Sequence, residues 1–279
     1  MKNSRLKIWA LIFSCAFGLL SCSKNETPAE PEKVLPALNP VTVTVSGEYT
    51  VNNLPGDLTA KMEGQGMEGT GNFKPVYYSL EDGRVVPAEY ANTDKWDLAF
   101  SGIYNSSVWA NDGTVKFENG NAGPGFGSPG RGGLYLVVDK SIDAKYYDEA
   151  KHQPRQVPID KALLDEAYQN VKTVPVADDQ LLSRGFLTLD YFLGSGSGYA
   201  FYDFYGAMFP GDKTRAHIVY NLPRAIIVKT AKGNYAKVIL YSFYKGSPLS
   251  PTLASEAPYL TFKYTILKDG SKDFTKTSK

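Results

Sequence analysis

The sequence predicts a mostly β, antiparallel fold with a short helical insertion. Two observations carry this prediction: short apolar or alternating runs recur along the chain, and residues that favour tight turns separate them. The turns include Asp-Gly pairs at residues 82–83 and 112–113, where glycine tolerates the positive φ that hairpins require. The runs that predict strands are residues 41–45, 76–80, 96–100, 107–110, 114–117 and 134–138.

Residues 1–22 predict a lipoprotein signal peptide. Three basic residues precede an apolar run that is short for a membrane-spanning helix, and the run ends in the Leu-Leu-Ser-Cys pattern of a bacterial lipobox. We therefore expect Cys22 to be lipidated and to become the first residue of the mature protein. The alternative is an ordinary signal peptide that happens to hold a cysteine. With lipidation at Cys22 the mature chain has no thiol, because Cys15 leaves with the signal peptide.

Residues 23–40 predict a flexible tether, since they are polar, contain proline and offer little to bury. Their Lys-Asn-Glu start is similar to signals that send lipoproteins to the outer surface. Residues 41–279 are enough to bury a substantial core, and we expect them to form a single domain.

Residues 139–170 depart from the β pattern and predict an insertion that carries a helix. Apolar side chains recur near helical spacing at Ile159, Ala162, Leu163 and Ala167. Asp160 can cap the start of this helix. We expect the insertion to lie on the β scaffold as a cover over one end.

Residues 235–244 predict a strand that is covered on both faces. Ala236, Val238 and Leu240 share one side, while Ile239, Tyr241 and Phe243 occupy the other, with few polar breaks. We therefore place this strand in the centre of a sheet.

Charge and motifs argue against two classes of function. The formal net charge is +1, and Lys and Arg are scattered, whereas nucleic-acid binding needs them clustered against phosphates. Residues 125–130 match Gly-x-Gly-x-x-Gly by letter, but a strand follows instead of the helix that a pyrophosphate needs. Motifs of serine hydrolases, zinc proteases and Walker-type nucleotide sites are absent from the sequence. We expect a binding protein and not an enzyme.

The last third of the chain leads from His217 into a meander of apolar segments at residues 225–246 and 259–266. Earlier blocks are Lys-Trp-Asp-Leu-Ala-Phe at residues 95–100 and a Gly-rich segment that ends at residue 133. This order of blocks, over roughly residues 75–267, resembles the HmuY family, secreted haem-binding lipoproteins of Gram-negative bacteria. The resemblance implies an HmuY-like antiparallel β domain.

The resemblance also implies an iron ligand at His217, which lies a few residues before Pro223 and the Ile-Ile-Val-Lys block, similar to where the family places one. Neutral imidazole is a common ligand of haem iron. The family takes a second ligand, His or Met, from a stretch that here contains neither. Two candidates remain for it: Tyr191 as a phenolate, and Met208, nine residues before His217. Loop packing is the alternative role for Met208.

Aromatic residues are dense around these candidates. They are Phe192, Tyr199, Phe201, Tyr202, Phe204, Tyr205 and Phe209. Flat aromatic walls suit a planar macrocycle, and we assign Tyr199 and Tyr202 to its site. The same residues equally suit the core of a β-sandwich or platforms for sugar rings.

These expectations combine into a lipid-anchored, haemophore-like protein at the outer membrane that faces the cell exterior. It would capture haem or a related tetrapyrrole for iron acquisition and pass it to an outer-membrane haem receptor. The alternative is a surface module that binds glycans or proteins on the same fold without iron ligation.

Overall fold

The computed structural model describes residues 35–60, 73–116, 120, 122–182, 186–187 and 198–276. Within these ranges the chain is mostly β, and every strand pair is antiparallel, which confirms the predicted fold class. The signal peptide with Cys22, and the tether as far as residue 34, lie outside the described residues.

In chain order the strands are β1 (Gly47–Pro55), β2 (Val76–Ser79), β3 (Arg84–Val86), β4 (Leu98–Ser101), β5 (Ser107–Ala110), β6 (Gly133–Leu136), β7 (Tyr147–Asp148), β8 (Gln153–Pro154), β9 (Phe186–Leu187), β10 (Ala200–Asp203), β11 (Ile218–Asn221), β12 (Ile226–Lys229), β13 (Tyr235–Ser242) and β14 (Tyr259–Leu267). The α-helices in the described ranges are α1 (Lys140–Tyr146), α2 (Lys161–Asn170) and α3 (Asp178–Leu182). Short 3₁₀ turns occur at Ala88–Tyr90, Ile103–Asn105, Lys213–Arg215 and Phe274–Lys276.

Two five-stranded sheets form the scaffold of the described part. The first has the order β1-β14-β13-β12-β6 and the second β3-β2-β4-β5-β9, while β10 pairs with β11 and β7 with β8. Aromatic side chains join the sheets: the ring centroid of Phe262 lies 5.4 Å from Tyr78 and 5.8 Å from Phe100. These side chains belong to the main core, which also buries residues of β10 and β11.

Strand β13 is central in the first sheet and is covered on both faces, as predicted. Val238 faces the main core, whereas Ile239 packs against Leu164 and Tyr168 of α2. The predicted alternation is wrong at Phe243. Its side chain joins the main core with Leu240 instead of sharing a side with Ile239. The reason is a register shift against β14 between Leu240 and Ser242, since an extra residue reverses the side that follows it.

Two other predicted strands are wrong. Residues 41–45 form no ladder, and the first strand begins at Gly47. Val43 is nevertheless buried, because its N–H and that of Thr42 bond to the Asp82 carbonyl and hold the segment against the β2–β3 turn. Of the predicted strand at residues 114–117, residues 114–116 are described, and they contribute only an isolated bridge at Lys116.

The insertion at residues 139–170 holds two α-helices with the β7–β8 hairpin between them, where the sequence predicted one helix. The predicted helix is α2, and the Asp160 side chain caps it by accepting the Ala162 N–H at 2.9 Å. Its buried face differs from the predicted one: Leu164, Ala167 and Tyr168 are buried, while Ala162 is exposed. No helix within the described residues has the length and apolarity that crossing a membrane requires.

Candidate functional site

His217 lies immediately before β11, where the loop from β10 returns to the hairpin. The residue is buried, with 7% of its surface exposed. Its N–H donates to the Asp203 carbonyl at 2.8 Å, which extends the β10–β11 pairing by one step. The backbone of His217 is left-handed, with φ of 58°.

Tyr202 holds the imidazole of His217. The phenolic oxygen lies 2.8 Å from Nδ1 of the histidine, and Tyr202 itself is completely buried. The ring of Phe204 meets the imidazole edge-on at 4.6 Å between centroids. In the tautomer in which Nδ1 donates to the hydroxyl, Nε2 keeps the lone pair that binds a metal.

Asp203 organises the loop beside His217, and sequence reasoning missed it. Its carboxylate accepts the N–H of Ala207 at 2.8 Å and that of Met208 at 3.0 Å, while its carbonyl accepts the His217 N–H. Burial raises the pKa of Asp203, and the backbone donors oppose that rise. An aspartate at a strand end that is followed by Gly206 is a turn signal, so the sequence did contain a hint.

Met208 and Tyr199, two of the predicted site residues, have different surroundings. Met208 is half-buried and packs against the main core from the loop that Asp203 holds. Tyr199 is inside the main core, where its hydroxyl donates to the Ser106 carbonyl and its ring packs on Phe243. Burial raises the pKa of Tyr199 well above its ordinary value, which keeps the phenol protonated. Tyr191 lies outside the described residues.

A cavity of about 370 Å³ lies on the other part of β11. It is lined by residues of α2, of β11 and β13, and of the segment 247–251. His217, Met208, Tyr199 and Tyr202 do not line it. This cavity was not predicted from the sequence, because its walls come from segments far apart in the chain.

Comparison with known proteins finds several similar solved structures. No protein-family model matches the chain. A search of curated proteins likewise returns no match. One similar structure is a candidate lipoprotein of Bacteroides fragilis, with 16% identity, a TM-score of 0.30, and coverage of 79% of this chain and 88% of the other. Another is the apo HmuY analog of Tannerella forsythia, with 12% identity, a TM-score of 0.30, and coverage of 82% and 99%. At these TM-scores the fold assignment rests on the strands and sheets described above.

His217 is the described residue whose imidazole would hold a haem iron. A haem macrocycle brings its own ring nitrogens, so a protein holds the iron through axial ligands such as imidazole. A buried imidazole that is fixed through Nδ1 and bordered by aromatic rings would supply such a ligand in a largely dry setting. His217 and Tyr202 are thus brought together, and Asp203 links Met208 to the same hairpin.

Proposed function

We propose that this chain binds haem or a related tetrapyrrole and that His217 ligates its iron. The observation that carries the proposal is the hydrogen bond between Tyr202 and Nδ1 of a buried histidine. Metal-ligating histidines almost always bond through their other ring nitrogen to a fixed partner, which sets the tautomer and the ring orientation. Tyr202 is suited to be that partner, because burial holds its hydroxyl in place.

Burial, and not backbone conformation, distinguishes His217 from His152. Both histidines have a left-handed backbone, with φ of 58° and 52°. His152 is exposed in the turn between β7 and β8, so water competes for its imidazole. His217 is shielded by Tyr202 and Phe204, and exclusion of water strengthens a bond between imidazole and iron.

When bound, the haem would supply the iron and its redox chemistry. The chain's residues would bind and orient it: His217 through the imidazole, Tyr202 through Nδ1, and Phe204 as an apolar neighbour. Met208 or Tyr191 would supply a second protein ligand to the iron. Capture and release of the tetrapyrrole, not turnover, would be the task.

The proposed setting follows from the sequence. Lipidation at Cys22 and a tether over residues 23–40 would anchor the domain to the outer membrane, facing the exterior. The protein would then deliver haem to an outer-membrane receptor. Its contact with the membrane would be through the lipid anchor alone.

A haemin titration of the fragment that lacks residues 1–22 tests the proposal. We expect a saturable Soret band in wild type, and a shifted or much weaker band in His217→Ala. The matched control is His152→Ala, which removes the exposed histidine and should leave the spectrum unchanged. An unaltered Soret band in His217→Ala contradicts the ligand assignment. A wild type without saturable absorbance favours the alternative, a surface module that binds glycans or proteins without iron.

Tyr202→Phe tests the positioning role separately. It removes the partner of Nδ1 and keeps the ring, so we expect haemin affinity to fall about 10–100-fold while the Soret band persists. If Tyr202 only fills space, the affinity of Tyr202→Phe should equal that of wild type.

A further inference from the structure

Strand β1 leaves one edge of the first sheet open. It is the last strand on its side of that sheet, where it pairs with β14. Within the described ranges no hydrogen bond between backbone groups joins the other side of β1 to another segment. The edge is regular over residues 47–51, because the register against β14 shifts only after Val51. A row of unpaired N–H and C=O groups at a sheet edge is a template for pairing with another strand.

The regular part of β1 lacks the features that commonly protect an edge. Residues 47–51 contain neither lysine nor proline. Their single charge, Glu48, is paired with Lys263 of the neighbouring β14 at 3.3 Å. The register shift and Pro55 come later in the strand. This part of the edge is therefore able to accept a further strand.

Apolar side chains near the same edge are incompletely covered. Val45 is 63% exposed just before β1, and its carbonyl accepts a hydrogen bond from the Tyr49 hydroxyl at 2.9 Å. Leu249 is 83% exposed and lines the cavity beside α2 together with Thr50. Tyr49 and Val51 are half-buried at the margin of the main core. Association at this edge would remove apolar surface on both faces of the sheet from water.

A second copy of the chain fits this edge in an antiparallel register centred on Tyr49. A two-fold axis places each residue of β1 opposite one that points to the same face of the sheet. The opposed pairs are then Tyr49 with Tyr49, Glu48 with Thr50, and Gly47 with Val51. All of them lie within the regular part of the strand. A register centred on Glu48 is excluded, because like charges directly opposite each other are destabilising.

The side chains on both faces are complementary in this register. On the core face, the ring centroid of Tyr49 lies 5.6 Å from that of Tyr264, and a second Tyr49 would continue this aromatic row across the axis. On the outer face, β14 places Lys263 opposite Thr50. Glu48 of the second copy would extend that row, so that opposite charges meet across the interface.

We propose that two copies of this chain associate through β1 and join their first sheets into one continuous antiparallel sheet. A ladder this short buries less than about 1,200 Å², which is typical of weak and transient interfaces. The dimer should therefore dissociate with a Kd of about 10–500 µM in solution. The lipid anchor proposed above would confine the copies to a surface and raise their effective concentration. The association does not depend on the haem site.

Sedimentation velocity of the fragment that lacks residues 1–22, from about 5 µM to about 1 mM, tests the proposal. Wild type should pass from monomer to dimer and no further, because the isologous pairing uses the edge of both copies. Thr50→Asp places a like charge opposite Glu48 of the second copy and should weaken association at least about tenfold. Thr50→Lys places an opposite charge there and should associate as tightly as wild type or more tightly. Equal weakening by both variants overturns the register centred on Tyr49.

The matched control is Asn92→Asp, which adds the same charge at an exposed position between β3 and β4. It should associate as wild type does. Because Thr50 is exposed in the single copy, Thr50→Asp should keep the Tm of wild type, which separates lost association from lost folding. The proposal fails if wild type is monomeric at about 1 mM, or if Thr50→Asp associates as tightly as Asn92→Asp.

Discussion

Asp203 connects the two ends of the loop that precedes His217. It is 2% exposed. Its carboxylate accepts hydrogen bonds from the N–H groups of Ala207 and Met208, and its carbonyl accepts one from the N–H of His217. A carboxylate in this place satisfies donors that would otherwise be buried without partners. The loop geometry therefore depends on one side chain, and the position of Met208 depends on the loop.

Asp203→Asn turns one acceptor oxygen into a donor that faces a backbone N–H. We expect the free energy of unfolding to fall by about 1–3 kcal/mol, because a buried N–H loses its partner. Urea denaturation at neutral pH measures the change. The control is Asp212→Asn at an exposed position of the same loop, where the side chain caps Thr214 and asparagine caps nearly as well. Equal stability of the two variants contradicts the role given to Asp203.

For single residues, the sequence identified both His217 and Tyr202 as candidates but not the hydrogen bond between them. The Tyr202 hydroxyl meets Nδ1 only because the hairpin register places Tyr202 opposite Val219, and an irregular loop separates the two strands. Turn signals did not fix that register.

Among the elements, α2 is attached to the first sheet through a buried lysine. Lys237 of β13 donates to the carbonyls of Tyr168 and Val171 at 3.1 and 2.8 Å, at the C-terminal end of the helix. Its ammonium also lies 4.3 Å from the centroid of the Tyr168 ring. A cation is favourable at this end of a helix, although burial lowers the pKa of Lys237 to about 8.

Lys237→Met keeps most of the side-chain stem and removes the donor. The two carbonyls lose a partner, while the desolvation of a buried charge is relieved, so we expect a net loss of about 1–2 kcal/mol at pH 7. Amide hydrogen exchange should accelerate in α2 more than in the centre of the sheet. Lys245→Met is the control, because that exposed ion pair with Glu256 contributes little. Unchanged exchange in α2 contradicts the capping role.

The insertion shows which elements the sequence predicted well. Asp160 and the apolar spacing located α2, because a cap and a periodic face are local signals. The sequence analysis placed Ala162 on the buried face of α2, although Ala162 is exposed. Helical spacing alone does not show which side of the helix the sheet covers. Helix α1 was missed, since its seven residues give less than two full turns of periodicity. Its position depends instead on the buried pair of Arg224 with Asp143 at 3.1 Å, a distant contact.

Across the whole molecule, buried acids link the two sheets. Asp97, beside β4 in the second sheet, accepts the N–H of Ala231 at 3.1 Å from the turn between β12 and β13 of the first. Glu81 accepts from Thr230 and Asn234 in the same turn, at 2.7 and 3.0 Å. The carboxyls are thus placed where both sheets must come together.

This arrangement predicts a pH dependence of stability that is specific to Asp97. Burial, reinforced by the charge of Glu81, raises the pKa of Asp97 from 3.8 to about 6. The folded state therefore binds this proton more tightly than the unfolded state. The stability that Asp97 contributes is full below about pH 4 and falls as pH rises through about 6, by up to about 3 kcal/mol. Wild type should accordingly lose stability relative to Asp97→Asn between pH 4.5 and 7.5, as urea denaturation measures.

The adjacent Asp82 provides a control of opposite sign. Lys232 and Arg84 lower its pKa against the effect of burial, so its contribution is present near neutral pH and is lost as pH falls through the folded pKa. The stability difference between wild type and Asp82→Asn should therefore shrink on acidification below about pH 4. A difference between wild type and Asp97→Asn that stays constant from pH 4.5 to 7.5 contradicts the proton uptake assigned to Asp97. A constant difference also means that this contact between the sheets tolerates the charged carboxylate as well as the protonated one.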